Sequence, residues 1–292
     1  MTRVLVAGAT GYLGRHAVVE FSRRGYSVRA LSRPESTEKL SHTGQFREPP
    51  VCESVDDLFV GTVTDPQTLT GLCDGIDIVF SSLGVTRQQA SPWAVDYEAN
   101  RTILDLAIES DVEQFVFVSV YMPSLWGKLI EPRERFVEKL HASEIEHTVV
   151  RPTGYYSDMT EFFEMARRGR VFLVGDGNAR INPVHGADLA KACVDAIDDA
   201  RTEFAVGGPE VFTYNEIANL AFRTLDESAS VTYLPKWFVD GLLTILRPFD
   251  NRTAAFAEAV SDILTTDVVA PKAGTHSLSE LYSELAQRTG SR

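Results

Sequence analysis

The sequence predicts an α/β fold, a doubly wound parallel sheet with a smaller, mainly helical C-terminal lobe. Three observations carry this. An apolar run of strand type, Val4-Leu5-Val6-Ala7, meets three glycines spaced three apart, Gly8, Gly11 and Gly14, and an amphipathic helix bearing Ala17, Val18 and Phe21 follows. Strand and helix patterns then alternate through the first 210 residues, as crossover helices between parallel strands require. Beyond residue 151 the character changes: 152–183 carries Gly154, Gly169, Gly175 and Gly177, and 209–292 reads as helices with one extended piece, Val231 to Pro235.

Taken in order, strands are expected at 3–7, 27–31, 57–61, 76–81, 114–119, 147–151 and 203–207. Helices are expected near 12–24, 66–73, 93–110, 132–143, 158–168, 186–199 and 214–225. The first helix stops at Gly25, and Asp65-Pro66 opens the second with an acceptor at the cap and proline at the first helical position. Residues 34–56 are polar, contain Pro49-Pro50, and read as a long mobile connection. The core is expected over 1–151, with 182–208 returning to it, and the second lobe over 152–181 and 209–292. In a doubly wound sheet, ligands sit beyond the carboxyl ends of the strands, so the later segments are expected to cover a ligand and shape a pocket.

The glycine segment suits a dinucleotide pyrophosphate. Gly8 lets the strand turn sharply, Gly11 lets backbone N–H groups approach the phosphates, and Gly14 lets the helix pack closely on the strand. Thr10, Tyr12 and Leu13 belong to the same cradle, and Arg15 adds positive charge to the favourable end of the helix dipole. The second strand ends Val28-Arg29-Ala30-Leu31-Ser32-Arg33, with no acid before Glu35. An arginine there matches the 2′-phosphate of NADP, where NAD sites place Asp or Glu, so NADP (NADPH) is preferred over NAD.

Bulk properties narrow the classes. A chain of 292 residues, 44% of them hydrophobic, can bury a sizeable core. A net charge of −13 argues against attraction to nucleic acid. The three cysteines, Cys52, Cys73 and Cys193, lack metal-type spacing and fit a reducing compartment. The chain enters its first strand at once and has no apolar run of spanning length, so a cytoplasmic protein is expected. The apolar stretch Pro235 to Pro248 reads as a helix closing the second lobe or as a surface for a hydrophobic ligand, a partner or a membrane face. The glycine segment lacks a Gly-Lys-Ser/Thr ending, no Gly-x-Ser-x-Gly elbow occurs, and His141 and His147 are poorly spaced for a metal.

Further segments make a family resemblance specific. Added to Gly8 to Gly14 are Asp74 to Gly84, Asp96 to Asn100, Phe115 to Ser119, Val150 to Tyr156, Ile181 to Ala190 and Val206 to Glu210. In order and spacing, across nearly the full chain, they resemble an atypical short-chain dehydrogenase/reductase of the NmrA-like and divinyl-reductase-like group, a Rossmann fold. The resemblance implies that Ser81, Ser82 and Gly84 lie along the adenine-side ribose and Ser119 near the nicotinamide. Pro152, Thr153 and Gly154 would flank the carboxamide. The adenine-binding Asp that often follows the third-strand glycine is replaced here by Thr62 after Gly61.

One part of the pattern is missing. Catalytic members of the wider superfamily carry Tyr-x-x-x-Lys on one helix, where the tyrosine passes a proton and the lysine lowers its pKa. None of the nine tyrosines here has a lysine four residues later. In the corresponding helix Ile130 takes the tyrosine position and Glu134 the lysine position. Tyr121 is the best remaining proton donor by position, with Lys128 nearby, although Pro123 and Gly127 oppose a regular helix between them. Arg133 and Arg135 could bind an acidic group or form a solvated face; Tyr155 and Tyr156 suit a pocket floor; His185 and Asp188 open a helix. Two readings stay open: an NADPH-dependent reductase of an apolar or conjugated small molecule, and a non-catalytic NADP(H)-binding sensor or assembly protein with a protein partner. A sugar-nucleotide epimerase or dehydrogenase is weaker, because it leans on the absent pair.

Overall fold

A computed structural model describes residues 1–84, 91–121 and 130–289. In chain order the elements are β1 (Arg3–Ala7), α1 (Tyr12–Arg23), β2 (Ser27–Ser32), β3 (Asp57–Val60), β4 (Ile78–Ser81), α2 (Asn100–Glu109), β5 (Gln114–Val118), α3 (Glu131–His141), β6 (Glu146–Pro152) and α4 (Tyr156–Arg167). Then follow β7 (Val171–Val174), β8 (Arg180–Ile181), α5 (Gly186–Asp198), β9 (Glu203–Val206), β10 (Phe212–Thr213), α6 (Tyr214–Thr224), β11 (Val231–Leu234), α7 (Lys236–Leu246), α8 (Asn251–Leu264) and α9 (Leu278–Thr289). The chain divides into two compact units. One comprises Met1–Val120, Ile130–Arg151 and Gly186–Phe204; the other comprises Tyr121–Leu129, Pro152–His185 and Ala205–Arg292.

Seven strands form one sheet in the order β3-β2-β1-β4-β5-β6-β9, the doubly wound arrangement expected from the alternating pattern. β1 runs parallel to both β2 and β4, and β4, β5 and β6 continue in parallel. Successive strand side chains point to opposite faces. Leu5, Val79, Phe115, Phe117 and Val149 form one buried cluster with Ile103, Leu104 and Ala107 of α2 and Phe136, Val137 and Leu140 of α3. On α1, Phe21 meets the Phe80 ring of β4 edge-on at 5.6 Å. Each such fully buried side chain stabilises the fold by roughly 1.5–3 kcal/mol. Arg24, just past α1, pairs with Glu20 on its own helix and with Asp195 and Asp198 of α5, tying the two helices together.

The second unit has its own core. Tyr156, Phe162 and Phe163 of α4 pack with Leu173 of β7, Ile217 and Phe222 of α6, and Leu281 and Tyr282 of α9. Two tyrosines satisfy their hydroxyls on backbone: Tyr156 donates to the His276 carbonyl at 2.7 Å and Tyr282 to that of Met159 at 2.6 Å. Asn182, fully buried, donates to the carbonyls of Gly208 and Ala270 and accepts from the Ala270 amide. No helix of the described residues is long and apolar enough to cross a membrane.

Four details differ from expectation. The helix anticipated at 66–73 is a short 3-10 turn, Pro66–Leu69, cut off before Gly71 at φ +78°. The helix anticipated at 93–110 begins as a π-helical turn, Trp93–Ala99, before becoming α2. β7, β8 and β10 have no counterpart among the expected strands: β7 and β8 lie in the glycine-bearing stretch, and β8 and β10, two residues each, are too short to show a period in sequence. The 34–56 connection, expected to be mobile, forms a 3-10 helix over Pro34–Ser41 and is pinned by the buried Arg15 guanidinium. That group donates to the carbonyls of Lys39, His42 (2.6 Å) and Pro49 (3.1 Å).

Candidate dinucleotide site

β1 and β4 are sheet neighbours, with Ala7 beside Ser81, yet the chain continues from one toward β2 and from the other toward β5. Such a reversal opens a crevice beyond the carboxyl ends of the two strands. The glycine turn and the Ser81–Gly84 segment both emerge there.

The backbone of the glycine turn explains its residues. Gly8 adopts φ +92°, and its carbonyl accepts the Gly11 amide at 2.8 Å. A Cβ on Gly8 would stand 2.7 Å from Ser82 Oγ. A Cβ on Gly14 would overlap the Gly8 carbonyl, so α1 can sit against the turn only with glycine at that place. Gly11 is the exposed N-cap of α1, with extended backbone. Among the described residues no side chain caps this helix, and its first turn carries no acid, so the start of the helix and its dipole suit an anion. The chemistry of the turn therefore fits a pyrophosphate.

The neighbouring side chains divide between lining and support. Leu13 is core, and the Tyr12 hydroxyl accepts the Gly186 amide at 3.0 Å while its ring meets His16 and Phe46 edge-on. The Thr10 carbonyl accepts from Arg15 Nε at 3.3 Å. The expectation that Arg15 adds charge beside a phosphate is corrected. Its guanidinium is buried against backbone carbonyls of the 34–56 connection, and burial lowers its pKa from the ordinary value. Arg33, by contrast, follows β2 directly with a side chain 42% exposed, 3.2 Å from Glu35. Ser32 is buried and donates to the Arg33 carbonyl at 3.2 Å.

After β4, the Ser81 hydroxyl is fully buried and donates to Asn100 Oδ1 at 2.6 Å, so it fixes the strand end to the start of α2. Ser82 is half-buried beside Gly8 and donates to the Ala7 carbonyl at 3.3 Å. Gly84 lies under the Arg133 guanidinium, where a Cβ would collide. Arg133 is not a solvated charge. It pairs with buried Asp96 and donates to the Val118 carbonyl at 2.9 Å, bracing the end of β5. Arg135 is exposed and pairs with Glu138 on its own helix.

The end of β5 holds a second network. Ser119, fully buried, donates to Glu134 Oε1 at 2.8 Å. Arg151 grips both oxygens of Glu134, at 2.7 and 2.9 Å, and also pairs with Glu203. Burial alone would lower the Arg151 pKa; Glu134 and Glu203 together hold it above its ordinary value. Glu134 thus stands where the superfamily's lysine is expected, with both carboxylate oxygens committed. The sequence pattern assigns Arg151 no role, although a cation at the end of the apolar run Thr148-Val149-Val150 requires a partner.

In the second unit the Tyr121 amide donates to the Pro152 carbonyl at 2.8 Å, so these two expected site residues are neighbours. Tyr121 is half-buried against the unit's aromatic core. Thr153 donates to the Asn182 carbonyl at 2.6 Å, and the Gly154 carbonyl accepts the Val184 amide at 2.8 Å. Tyr156 is wholly core, Tyr155 is the N-cap of α4, and His185 stacks on His276 with ring centroids 4.1 Å apart. Lys128, together with Pro123 and Gly127, lies outside the described residues.

The chain is similar to known proteins that share its fold. Divinyl chlorophyllide a 8-vinyl-reductase of Zea mays is 29% identical over 268 residues, covering 84% of this chain and 65% of the maize protein. The chain thus spans under two thirds of that relative. Photosystem II assembly factor Ycf39 of Trieres chinensis is 26% identical over 276 residues, 88% of this chain and 82% of its own. An NADPH-dependent quinone oxidoreductase from Escherichia coli, solved with NADPH, superposes with a TM-score of 0.72 at 16% identity over 98% of this chain and 99% of its own, a likeness of fold. The profile of the NAD(P)H-binding family matches residues 8–200, from the first glycine of the turn through α5, and on that match the chain is a member of the NAD(P)H-binding family.

Proposed function

We propose that this protein is an NADPH-dependent reductase of an apolar, conjugated small molecule that works without the tyrosine–lysine pair. The carrying observation is the intact glycine turn at the start of α1, whose chemistry fits a dinucleotide pyrophosphate; Glu134, locked by Arg151 and Ser119 at the lysine position, is why the reading dispenses with the pair. When bound, the nicotinamide supplies a hydride. Gly8, Gly11 and Gly14 with the uncapped start of α1 would hold the pyrophosphate; Thr10, Tyr12 and Leu13 shape that turn; Ser82 and Gly84 would lie along the ribose. Arg33 would recognise the 2′-phosphate and favour NADPH over NADH. Pro152, Thr153 and Gly154 would flank the carboxamide, and Tyr121 would donate the proton if protein rather than water supplies it. The maize relative, a vinyl-reductase by name, supports the reading by class, and the assembly factor illustrates the alternative.

A second reading, a non-catalytic NADP(H) sensor or assembly protein, is favoured by the closed state of the Glu134 network. The test is titration with NADPH and NADH, then NADPH oxidation with quinones and enones. Tight NADPH binding with turnover supports the reductase; tight binding with no turnover on any acceptor supports the sensor. Absence of NADPH binding overturns both.

A further inference from the structure

Helices α7 and α8 form an antiparallel hairpin. Lys236, at the start of α7, reaches Asp262 near the end of α8 at 2.9 Å and Asp240 one turn along at 3.0 Å. Past the end of α7, Arg247 pairs with Glu258 at 2.7 Å. At about 100° per residue, Lys236, Asp240 and buried Leu243 share one half of the α7 circumference. Trp237, Phe238, Leu242, Ile245 and Leu246 share the other half, which carries no charge.

That uncharged half is exposed. Trp237 is 75%, Ile245 67% and the connecting Phe249 85% accessible, with Phe238, Leu242 and Leu246 near half. On α8, Phe256 and Val260, one turn apart, extend the apolar surface. With roughly 150–250 Å² for each aromatic side chain and somewhat less for each aliphatic one, the exposed portion is on the order of 800 Å². A typical monomer's largest apolar patch is about 300–600 Å². About 800 Å² is the share each partner buries in a stable interface of standard size.

We propose that this face is the interface between two copies of the chain, joined across a twofold axis as a four-helix packing of two α7–α8 hairpins. The exposed half of α7 carries no charged side chain, so a twofold contact through it brings no like charges together, as an isologous contact requires. Charge also separates this occupant from a bilayer. Interfacial helices draw on lysines and arginines facing anionic lipid, whereas Lys236 and Arg247 are both tied to carboxylates and the chain carries −13.

The experiment is sedimentation of the full chain at micromolar concentration. The expected mass is twice the 32.3 kDa of one copy. Trp237→Glu combined with Ile245→Glu should return it to 32.3 kDa with NADPH binding unchanged. Phe249→Asp, in the connection where no helix bears the new charge, should weaken self-association at least about tenfold, as truncating a central apolar anchor does. A wild-type chain that stays at 32.3 kDa, or folded variants that stay paired, overturns the proposal. A monomer that floats with phosphatidylcholine vesicles also overturns it and gives the face to a bilayer.

Discussion

The β1–α1 turn and the β5–α3 region both belong to the nucleotide-binding core, yet the sequence has treated them oppositely. The turn keeps every glycine its backbone demands: Gly8 for its φ of +92° and Gly14 for lack of room. The β5–α3 region instead commits its polar side chains to a structural network. Where a proton-passing pair is expected, Ile130 precedes a helix whose Glu134 is bound by Ser119 and Arg151. On the proposed reading, dinucleotide binding and acid–base chemistry would be separately encoded in this architecture. The first would rest on backbone shape, and the second on two side chains whose aligned positions here hold Ile130 and an ion-paired Glu134.

The largest expected effect comes from forcing the second region back toward the first's orthodoxy. Ile130→Tyr with Glu134→Lys would write in the missing pair. Lysine would then face Arg151 with no carboxylate between them, and the Ser119 hydroxyl would lose its acceptor. Breaking a buried ion pair costs about 3–5 kcal/mol, so thermal or urea unfolding should show a loss of about 4 kcal/mol and no gain of alcohol dehydrogenase activity. A stable, active double variant would show that the network is incidental.

Gly14→Ala is the matching attack on the turn. Its Cβ must displace the Gly8 carbonyl, a backbone atom that cannot swing aside. The expected cost is about 2–3 kcal/mol, in the range of overpacked sites, with loss of NADPH binding measured by fluorescence titration. Gly25→Ala makes a useful contrast: a Cβ there meets nothing among the described residues within 4 Å, and its φ of +82° is what opposes the change.

These two regions also explain what could be read from sequence. The glycine turn is legible because its constraint is local: strand, turn and helix lie within Val4 to Phe21. The seven sheet strands are legible for the same reason, each being an apolar run of sufficient length. Arg15 was misread because its partners, the carbonyls of Lys39, His42 and Pro49, are distant in sequence and carry no side-chain signature. The Glu134 network hid similarly: Ser119, Arg151 and Glu203 come from three different strand ends. Glu134 could be identified as a replacement, but its new role needed the tertiary structure. β8 and β10, two residues each, fall below any periodic signal.

Arg33 tests how far the turn's identity extends along the sheet edge. Its side chain is 42% exposed and its partner Glu35 more so, leaving it able to meet an anion. Arg33→Ala should weaken NADPH about tenfold, or about 1.4 kcal/mol, and leave NADH unchanged in parallel titrations. Equal losses for both would place the arginine in general electrostatics and remove the case for NADP.

The smallest effect concerns what holds the glycine-turn helix in place. Arg23 and Arg24 hold the Glu20 carboxyl below its ordinary value of 4.5; at Asp195, burial acts upward but Lys191 and Arg24 outweigh it, holding that group below 3.8. Both folded-state values are lowered, so the unfolded chain takes up protons first as pH falls. The stabilisation is therefore complete above the ordinary values and is lost as pH falls through the lowered ones. Glu20→Gln and Asp195→Asn should each flatten the acid limb of the stability profile and change little else. At neutral pH the loss should not exceed about 1 kcal/mol, because Arg23, Asp195 and Lys191 reach solvent, and it should shrink further in high salt. If instead Asp195→Asn released NADPH, the α1–α5 clamp would be setting the geometry of the turn itself, and the separation between support and binding would have to be redrawn at Arg24.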